Sequence, residues 1–226
     1  LRVADMALLM GIILTYQVYG TLEIPELFAR ARASAHTVAL WPGMDIDAAT
    51  AITLLMFIGA MGKSAQFPLH LWLPSSLFAP TPVHGLLHAG IINAGGFLIN
   101  RMAPLFGLSS VTLHVALVVG TVTAVLGASM MLVQSDIKKT LGLSTIGQMG
   151  YMIMECGLGA CSLAVFHLIA HGLFKATVVL NCGNVIQKAR VEPHFPHTTH
   201  THHEEEELSN LTWSTGVLTS LVIPLL

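Results

Sequence analysis

The sequence predicts an all-α protein, a polytopic bundle of transmembrane helices that contains a broken helix. Its residues are 54% hydrophobic and only 10% charged, whereas a soluble globular domain has about 25% charged residues. Several apolar segments are close to the length that a membrane helix needs, about 20 residues. A cluster of prolines separates two of these segments. We therefore expect a multi-pass protein whose main surroundings are the lipid membrane.

The apolar segments are distributed along the whole chain. Each residue of an α-helix adds about 1.5 Å, so roughly 20 apolar residues cross a hydrocarbon core about 30 Å thick. The predicted spans are Val3–Tyr19, Ala48–Gly62, Thr81–Arg101, Ser110–Val133, Thr140–Leu158, Cys161–Ile186 and an incomplete one from Leu211.

The broken helix is predicted after the second span. Four prolines occur there, at Pro68, Pro74, Pro80 and Pro82. Proline removes a hydrogen-bond donor from a helix, so this segment should stop and restart. Broken helices at membrane depth often form transport sites.

Three regions of different composition divide the chain. Residues 1–190 form the predicted transmembrane domain, 191–210 a polar loop rich in histidine and glutamate, and 211–226 the start of a further transmembrane helix. The loop is too hydrophilic to enter lipid, and its histidines have no fixed metal-binding spacing. The chain begins without a methionine or a signal peptide, so we expect it to be part of a longer protein.

Composition excludes several classes of function. A formal net charge of -2 does not suit a nucleic-acid partner, which requires a basic surface. The three cysteines lack the spacing of a disulfide framework or a zinc site. No nicotinamide, flavin or iron–sulfur motif is present, so we expect no cofactor in this chain.

Titratable residues nevertheless occur inside the apolar segments. His84 and His88 are four residues apart in the third span, and His167, His171 and Lys175 repeat at the same interval in the sixth. Residues at this spacing share one face of a helix. A charged residue at the bilayer centre costs on the order of 2.5–3.5 kcal/mol even on lenient scales, so such groups usually face protein or water and mark ion pathways.

Structural explanations remain open for several of these residues. His84 and His88 could be interhelical hydrogen-bond partners, and Lys63, at the end of the second span, could extend its amine to the membrane interface. His167 and His171 could instead bind a metal, although Lys175 would repel the cation. Glu155 is either a carboxylate facing the bundle or an interfacial one.

Four sequence blocks resemble the antiporter-like proton-channel family, which includes large membrane subunits of respiratory complex I and of multisubunit sodium/proton antiporters. The blocks are GKSAQFPLHLWLP, APTPVHGLLHAG, SDIKKTLGLSTIGQMGYM and FHLIAHGLFKA, in the order of the family. The resemblance implies an inverted-repeat fold with broken helices. It also implies a proton pathway through Lys63, His88, His167, His171 and Lys175.

Other features are more similar to the membrane subunits of Dab-type inorganic-carbon accumulation complexes. The stretches HAGIINAGGFLINRMAPLF and QMGYMIMECGLGA carry this similarity, and Ser75 replaces the aspartate that is usual in complex I. It implies a bacterial cell membrane and a large soluble partner resembling carbonic anhydrase, with zinc in that partner.

We therefore predict a proton-conducting membrane subunit with no catalytic chemistry of its own, in an inorganic-carbon uptake complex. Complex I or a cation/proton antiporter is the alternative assembly; a membrane anchor for a soluble enzyme and a passive metal-binding protein are alternatives of other classes. The predicted pathway residues are Lys63 and Lys175 as charge-storing sites, His88, His167 and His171 as relays, and His84 as a further candidate.

Overall fold

A computed structural model of the chain has the predicted helical architecture. It describes residues 1–33, 36–41, 44–76 and 79–191. Leu1–Lys188 form one compact unit. The predicted polar loop at residues 191–210, apart from its first residue, lies outside the described residues, and so does the last predicted helix.

Six of the seven predicted spans coincide with helical stretches, with small shifts of their ends, and the incomplete span from Leu211 lies outside the described residues. Within the described residues, three stretches are long and apolar enough to cross a membrane: Thr81–Arg101, Ser110–Leu132 and Cys161–Cys182. The helices Arg2–Tyr19 and Ile24–Ala33 are bent by 62° relative to each other, and they count as a fourth candidate span if they cross the membrane as one broken helix. In chain order the helices are α1 (Arg2–Tyr19), α2 (Ile24–Ala33), α3 (Ala48–Lys63), α4 (Trp72–Ser75), α5 (Thr81–Ala89), α6 (Ala94–Arg101), α7 (Ala103–Phe106), α8 (Ser110–Leu132), α9 (Ile137–Gly157) and α10 (Cys161–Val191).

Polar side chains fix the beginnings of three long helices. Asp47, the residue before α3, accepts a hydrogen bond from the backbone amide of Thr50 at 3.3 Å. Ser109 and Asp136 cap α8 and α9 in the same way, at 3.2 and 3.1 Å. Such caps satisfy amide groups that have no partner within the helix.

A short β-hairpin is an addition to the all-α prediction. Strands β1 (Thr37–Trp41) and β2 (Met44–Asp47) pair in antiparallel fashion between α2 and α3. Val38 lies opposite Ile46 in the register, and β-branched residues favour paired strands. The hairpin leads directly into α3.

The proline-rich segment breaks as predicted, and the third span contains a second break. Between α3 and α5 the described chain forms turns and the short helix α4. The predicted span Thr81–Arg101 is confirmed as an apolar helical stretch. It is interrupted, because α5 ends at Ala89 and a single 3₁₀ turn, Ile91–Asn93, precedes α6.

Side chains satisfy carbonyl groups released by these breaks. The amide of Asn93 donates to the Ala89 carbonyl at 2.8 Å. The hydroxyl of Ser64, next to Lys63, donates to the Ile92 carbonyl at 2.7 Å. Ser64 therefore attaches the end of α3 to the interrupted span.

Helices α8 and α9 pack with their backbones very close together. A Cβ atom added at a glycine of this interface would lie 2.4 Å from a backbone atom of the opposite helix. Small residues allow helix backbones to approach this closely in membranes. The glycines are Gly120, Gly127, Gly150 and Gly157.

The outward faces of the long helices are strongly apolar. Val118 and Val125 of α8 are 61% and 60% exposed, and Leu173 of α10 is 70% exposed. Buried residues of α9, including Met149 and Met152, pack in the interior. This distribution suits a bundle surrounded by lipid.

Candidate functional site

The buried amine of Lys175 is the centre of the site. Lys175 is 3% exposed. Its Nζ atom donates to the Ser144 hydroxyl at 2.5 Å and to the Leu141 carbonyl at 3.2 Å. Both groups belong to α9 and both are neutral, so α9 supplies polar contacts to the amine without supplying a charge.

His88 of α5 contacts the same turn of α9. Its Nδ1 atom lies 3.0 Å from the Thr145 hydroxyl. That hydroxyl donates to the Leu141 carbonyl at 2.9 Å, so its oxygen accepts from Nδ1–H of His88. The other ring nitrogen, Nε2, is buried without a hydrogen-bond partner in the described part of the chain. In its neutral form His88 thus has Nε2 free to accept a proton.

His84 and His88 are adjacent, as their spacing predicts. Both are 1% exposed, and their ring centroids are 4.2 Å apart. Asn93 lies in the 3₁₀ turn that follows α5.

His167 and His171 line one cavity together with Lys175. The cavity has a volume of about 330 Å³, and Ser144, Gln148, Ala170 and Phe174 complete its lining. The two imidazole centroids are 6.3 Å apart. Both nitrogens of His171 are buried without a hydrogen-bond partner in the described part of the chain. The two rings are therefore not directly hydrogen-bonded to each other.

Lys63 has a separate environment at the end of α3. Its Nζ atom forms an ion pair with the Asp5 carboxylate of α1 at 3.0 Å, and both side chains are half-buried. Within the described residues, no hydrogen bond or ion pair connects Lys63 to the predicted histidines. The indole of Trp72 donates to the neighbouring Gly62 carbonyl at 2.9 Å, which satisfies one carbonyl group released where α3 ends.

The structure thus brings five of the six predicted residues together near α9 and pairs Lys63 with Asp5. Sequence reasoning missed Asp5, although an acidic residue inside an apolar span is itself a signal. It also missed Ser144, Thr145 and Gln148, because hydroxyl and amide side chains are common on membrane helices.

The predicted residues do not converge as a metal site in the described part of the chain. No group of three or more histidine, cysteine, aspartate or glutamate side chains there is placed to hold an ion. The cysteines Cys156, Cys161 and Cys182 are free thiols.

Comparison with known proteins identifies the family. The family described as "NADH:quinone oxidoreductase/Mrp antiporter, TM" matches residues 1–225. The chain is 49% identical to the probable inorganic carbon transporter subunit DabB1 of Halothiobacillus neapolitanus, over 99% of the chain. It is 42% identical to NADH-quinone oxidoreductase subunit L of Neisseria meningitidis serogroup B, over 97% of the chain.

A solved structure has a similar fold. The Mrp complex from Dietzia sp. DQ12-45-1b contains a chain that matches 82% of this one with a TM-score of 0.73 and 32% identity. The present chain spans 40% of the length of the DabB1 relative, 32% of the subunit L relative and 20% of the Mrp chain. The chain belongs to the NADH:quinone oxidoreductase/Mrp antiporter transmembrane family.

Proposed function

We propose that this chain conducts protons through the cavity beside Lys175. The observation that carries the proposal is the environment of Lys175: a buried amine whose hydrogen-bond partners are the neutral groups of Ser144 and Leu141. Burying a charge costs several kcal/mol unless an opposite charge accompanies it. An amine held only by neutral oxygens can therefore release a proton more easily than one in an ion pair.

The histidines beside Lys175 provide the next positions for that proton. His167 and His171 line the same cavity, and imidazole both accepts and donates protons near neutral pH. The cavity, at about 330 Å³, is large enough for several water molecules, each of which occupies about 30 Å³. His88 and His84 would be coupled to Lys175 electrostatically. The Leu141 carbonyl, which accepts hydrogen bonds from both Thr145 and Lys175, holds these two residues in register and passes no proton.

Lys63 and Asp5 form a second charge-storing site in this proposal. A proton that reaches the cavity changes the electrostatic potential at other buried charges. Opening or closing of the Asp5–Lys63 ion pair would then follow the protonation of Lys175. In this scheme the chain performs no bond-making chemistry of its own.

The proposal is tested by removing the Lys175 amine. The full-length protein, purified with its partners and reconstituted into vesicles, would carry Lys175→Ala or Lys175→Met, the second of which preserves side-chain volume. We expect normal assembly and loss of proton flux, measured with a pH-sensitive dye inside the vesicles. Lys139→Ala, at an exposed lysine in the first turn of α9, is the matched control. Parent flux in both Lys175 variants would instead support a membrane anchor.

We further propose that proton flow through the full-length protein energises an inorganic-carbon uptake complex. Identity to the DabB1 relative, at 49%, exceeds the 42% identity to the subunit L relative. The expected partner is a large soluble subunit resembling carbonic anhydrase, with the zinc in that partner. Mass spectrometry of proteins that co-purify from native membranes tests this assignment. Redox or antiporter subunits in place of a zinc-containing partner would favour the alternative assemblies, complex I or a cation/proton antiporter.

A further inference from the structure

Glu155 and His167 form a carboxylate–imidazole pair at one end of the cavity. Nδ1 of His167 lies 3.0 and 3.2 Å from the two carboxylate oxygens of Glu155. The side chains are 14% and 16% exposed. The pair joins α9 to α10 close to the turn between them, because Glu155 is two residues from the end of α9.

Gln148 contacts the other nitrogen of the same imidazole. Its Oε1 atom lies 3.0 Å from His167 Nε2. A protonated ring donates to both Glu155 and Gln148. A neutral ring donates to Glu155 and accepts from Gln148 when the amide group is turned, since an amide offers both an acceptor and a donor. The site therefore accommodates His167 with or without its additional proton.

The charge of this pair depends on a proton. The ion-pair partner of Glu155 is an imidazole, which is charged only when protonated, unlike a lysine or an arginine. The carboxylate is thus balanced when His167 is protonated, or becomes neutral by accepting the proton itself. Among the described residues, the other titratable groups in this region are His171 and Lys175 of α10 and the thiols of Cys156 and Cys161.

The pair is continuous with the cavity of Lys175. His167 lines that cavity together with His171 and Lys175. Ser144 and Glu155 are eleven residues apart on α9, which corresponds to a rise of about 16 Å, or half of the hydrocarbon core. Glu155 thus stands at the end of the polar row nearest the α9–α10 turn.

We propose that Glu155 is a terminal proton-binding group of the pathway, exchanging protons between His167 and the aqueous phase at the α9–α10 turn. In the exchange step the N–H bond at Nδ1 of His167 breaks and an O–H bond forms on Glu155. A protonated imidazole and a carboxylate become a neutral imidazole and a carboxylic acid. The inference rests on the proposed proton-conducting function and adds a residue that the sequence blocks do not assign.

The test uses Glu155→Gln and Glu155→Asp in the full-length protein with its partners, reconstituted into vesicles. Glutamine keeps the size of the side chain and a hydrogen bond to His167 but binds no proton. We expect Glu155→Gln to reduce proton flux about tenfold or more, in line with the effect of a positioned acid–base group, and to change its pH profile. We expect Glu155→Asp to restore much of the flux. Glu23→Gln, at an exposed carboxylate preceding α2, is the matched control.

Infrared difference spectroscopy provides a direct readout. A carboxylic-acid band that appears on acidification of the parent should be absent from Glu155→Gln. Parent flux and an unchanged pH profile in Glu155→Gln would overturn the inference. So would a loss of flux without any change in pH profile and without rescue by aspartate, since that combination indicates a structural role.

The Lys175 variants separate this inference from the function on which it rests. If Lys175→Met abolishes flux and Glu155→Gln does not change it, proton conduction stands and the role of Glu155 is wrong. If Lys175→Met and Glu155→Gln both conduct at the parent rate, both proposals are wrong.

Discussion

His88 and Lys175, which belong to different spans, are connected through a single turn of α9. The Thr145 hydroxyl, in contact with His88 Nδ1, donates to the Leu141 carbonyl, and Lys175 Nζ donates to the same carbonyl at 3.2 Å. This turn of α9 has no charged side chain between Leu141 and Thr145. The two titratable residues are therefore linked by hydrogen-bonded neutral groups.

Thr145→Val tests this connection. Valine keeps the shape of threonine but leaves Nδ1–H of His88 without its acceptor, and an unsatisfied buried polar group costs about 1–3 kcal/mol. We expect a lower temperature of thermal unfolding in detergent. We also expect proton flux in vesicles to fall, because His88 is no longer held in one orientation.

The control for this change is Thr121→Val on α8. Thr121 is exposed, and its hydroxyl bonds to the Leu117 carbonyl of its own helix. The Thr121→Val variant should have the unfolding temperature and the proton flux of the parent protein. Parent flux in Thr145→Val would show that the Leu141 turn does not couple the two spans.

Asp5→Asn tests the ion pair at the end of α3. The amide can still accept a hydrogen bond from Lys63, but it supplies no negative charge. Ion pairs between partly exposed side chains contribute little to stability, and both side chains here are half-buried, so we expect little change in stability. Loss of the negative charge should decrease proton flux several-fold. Measured flux should fall no further in the double variant Asp5→Asn with Lys63→Met than in Lys63→Met alone, because residues that act as a unit are not additive.

Glu26→Gln is the comparison for the Asp5 variant. It breaks an ion pair with Arg30 on α2, where the side chains are exposed to nearly the same extent as those of Asp5 and Lys63. We expect no effect on flux. Equal effects of Glu26→Gln and Asp5→Asn would mean that the Asp5–Lys63 pair has no special role.

Helical periodicity and apolar length were sufficient to predict most of the fold. They identified α8 and α10 and the shared face of His167, His171 and Lys175, because these features depend on spacing within one helix. They missed the break at Gly90, since an isolated glycine in an apolar segment is also compatible with a continuous membrane helix. The hairpin was also missed, because its pairing depends on two short segments outside the spans.

Contacts between helices were the part that sequence could not provide. Glu155 remained undecided because its role depends on His167, which lies on the next helix. Lys63 was assigned to the pathway by its motif, but its contact with Asp5 depends on how α1 packs against α3. Spacing along one helix gives the face that a residue occupies, and it does not give the opposing residue.

Gly150→Ala tests whether the α8–α9 interface positions the polar groups of α9. An added Cβ would lie 2.4 Å from the Ala124 amide nitrogen, and a backbone atom can move only if the helices separate. We expect a loss of about 1–3 kcal/mol in unfolding free energy and a fall in proton flux, since Ser144 and Thr145 move with α9. Gly85→Ala, where the nearest atom lies 3.8 Å away, should retain parent stability. If Gly150→Ala unfolds at the parent temperature in detergent, the close approach of these helices is not what holds α9 in place.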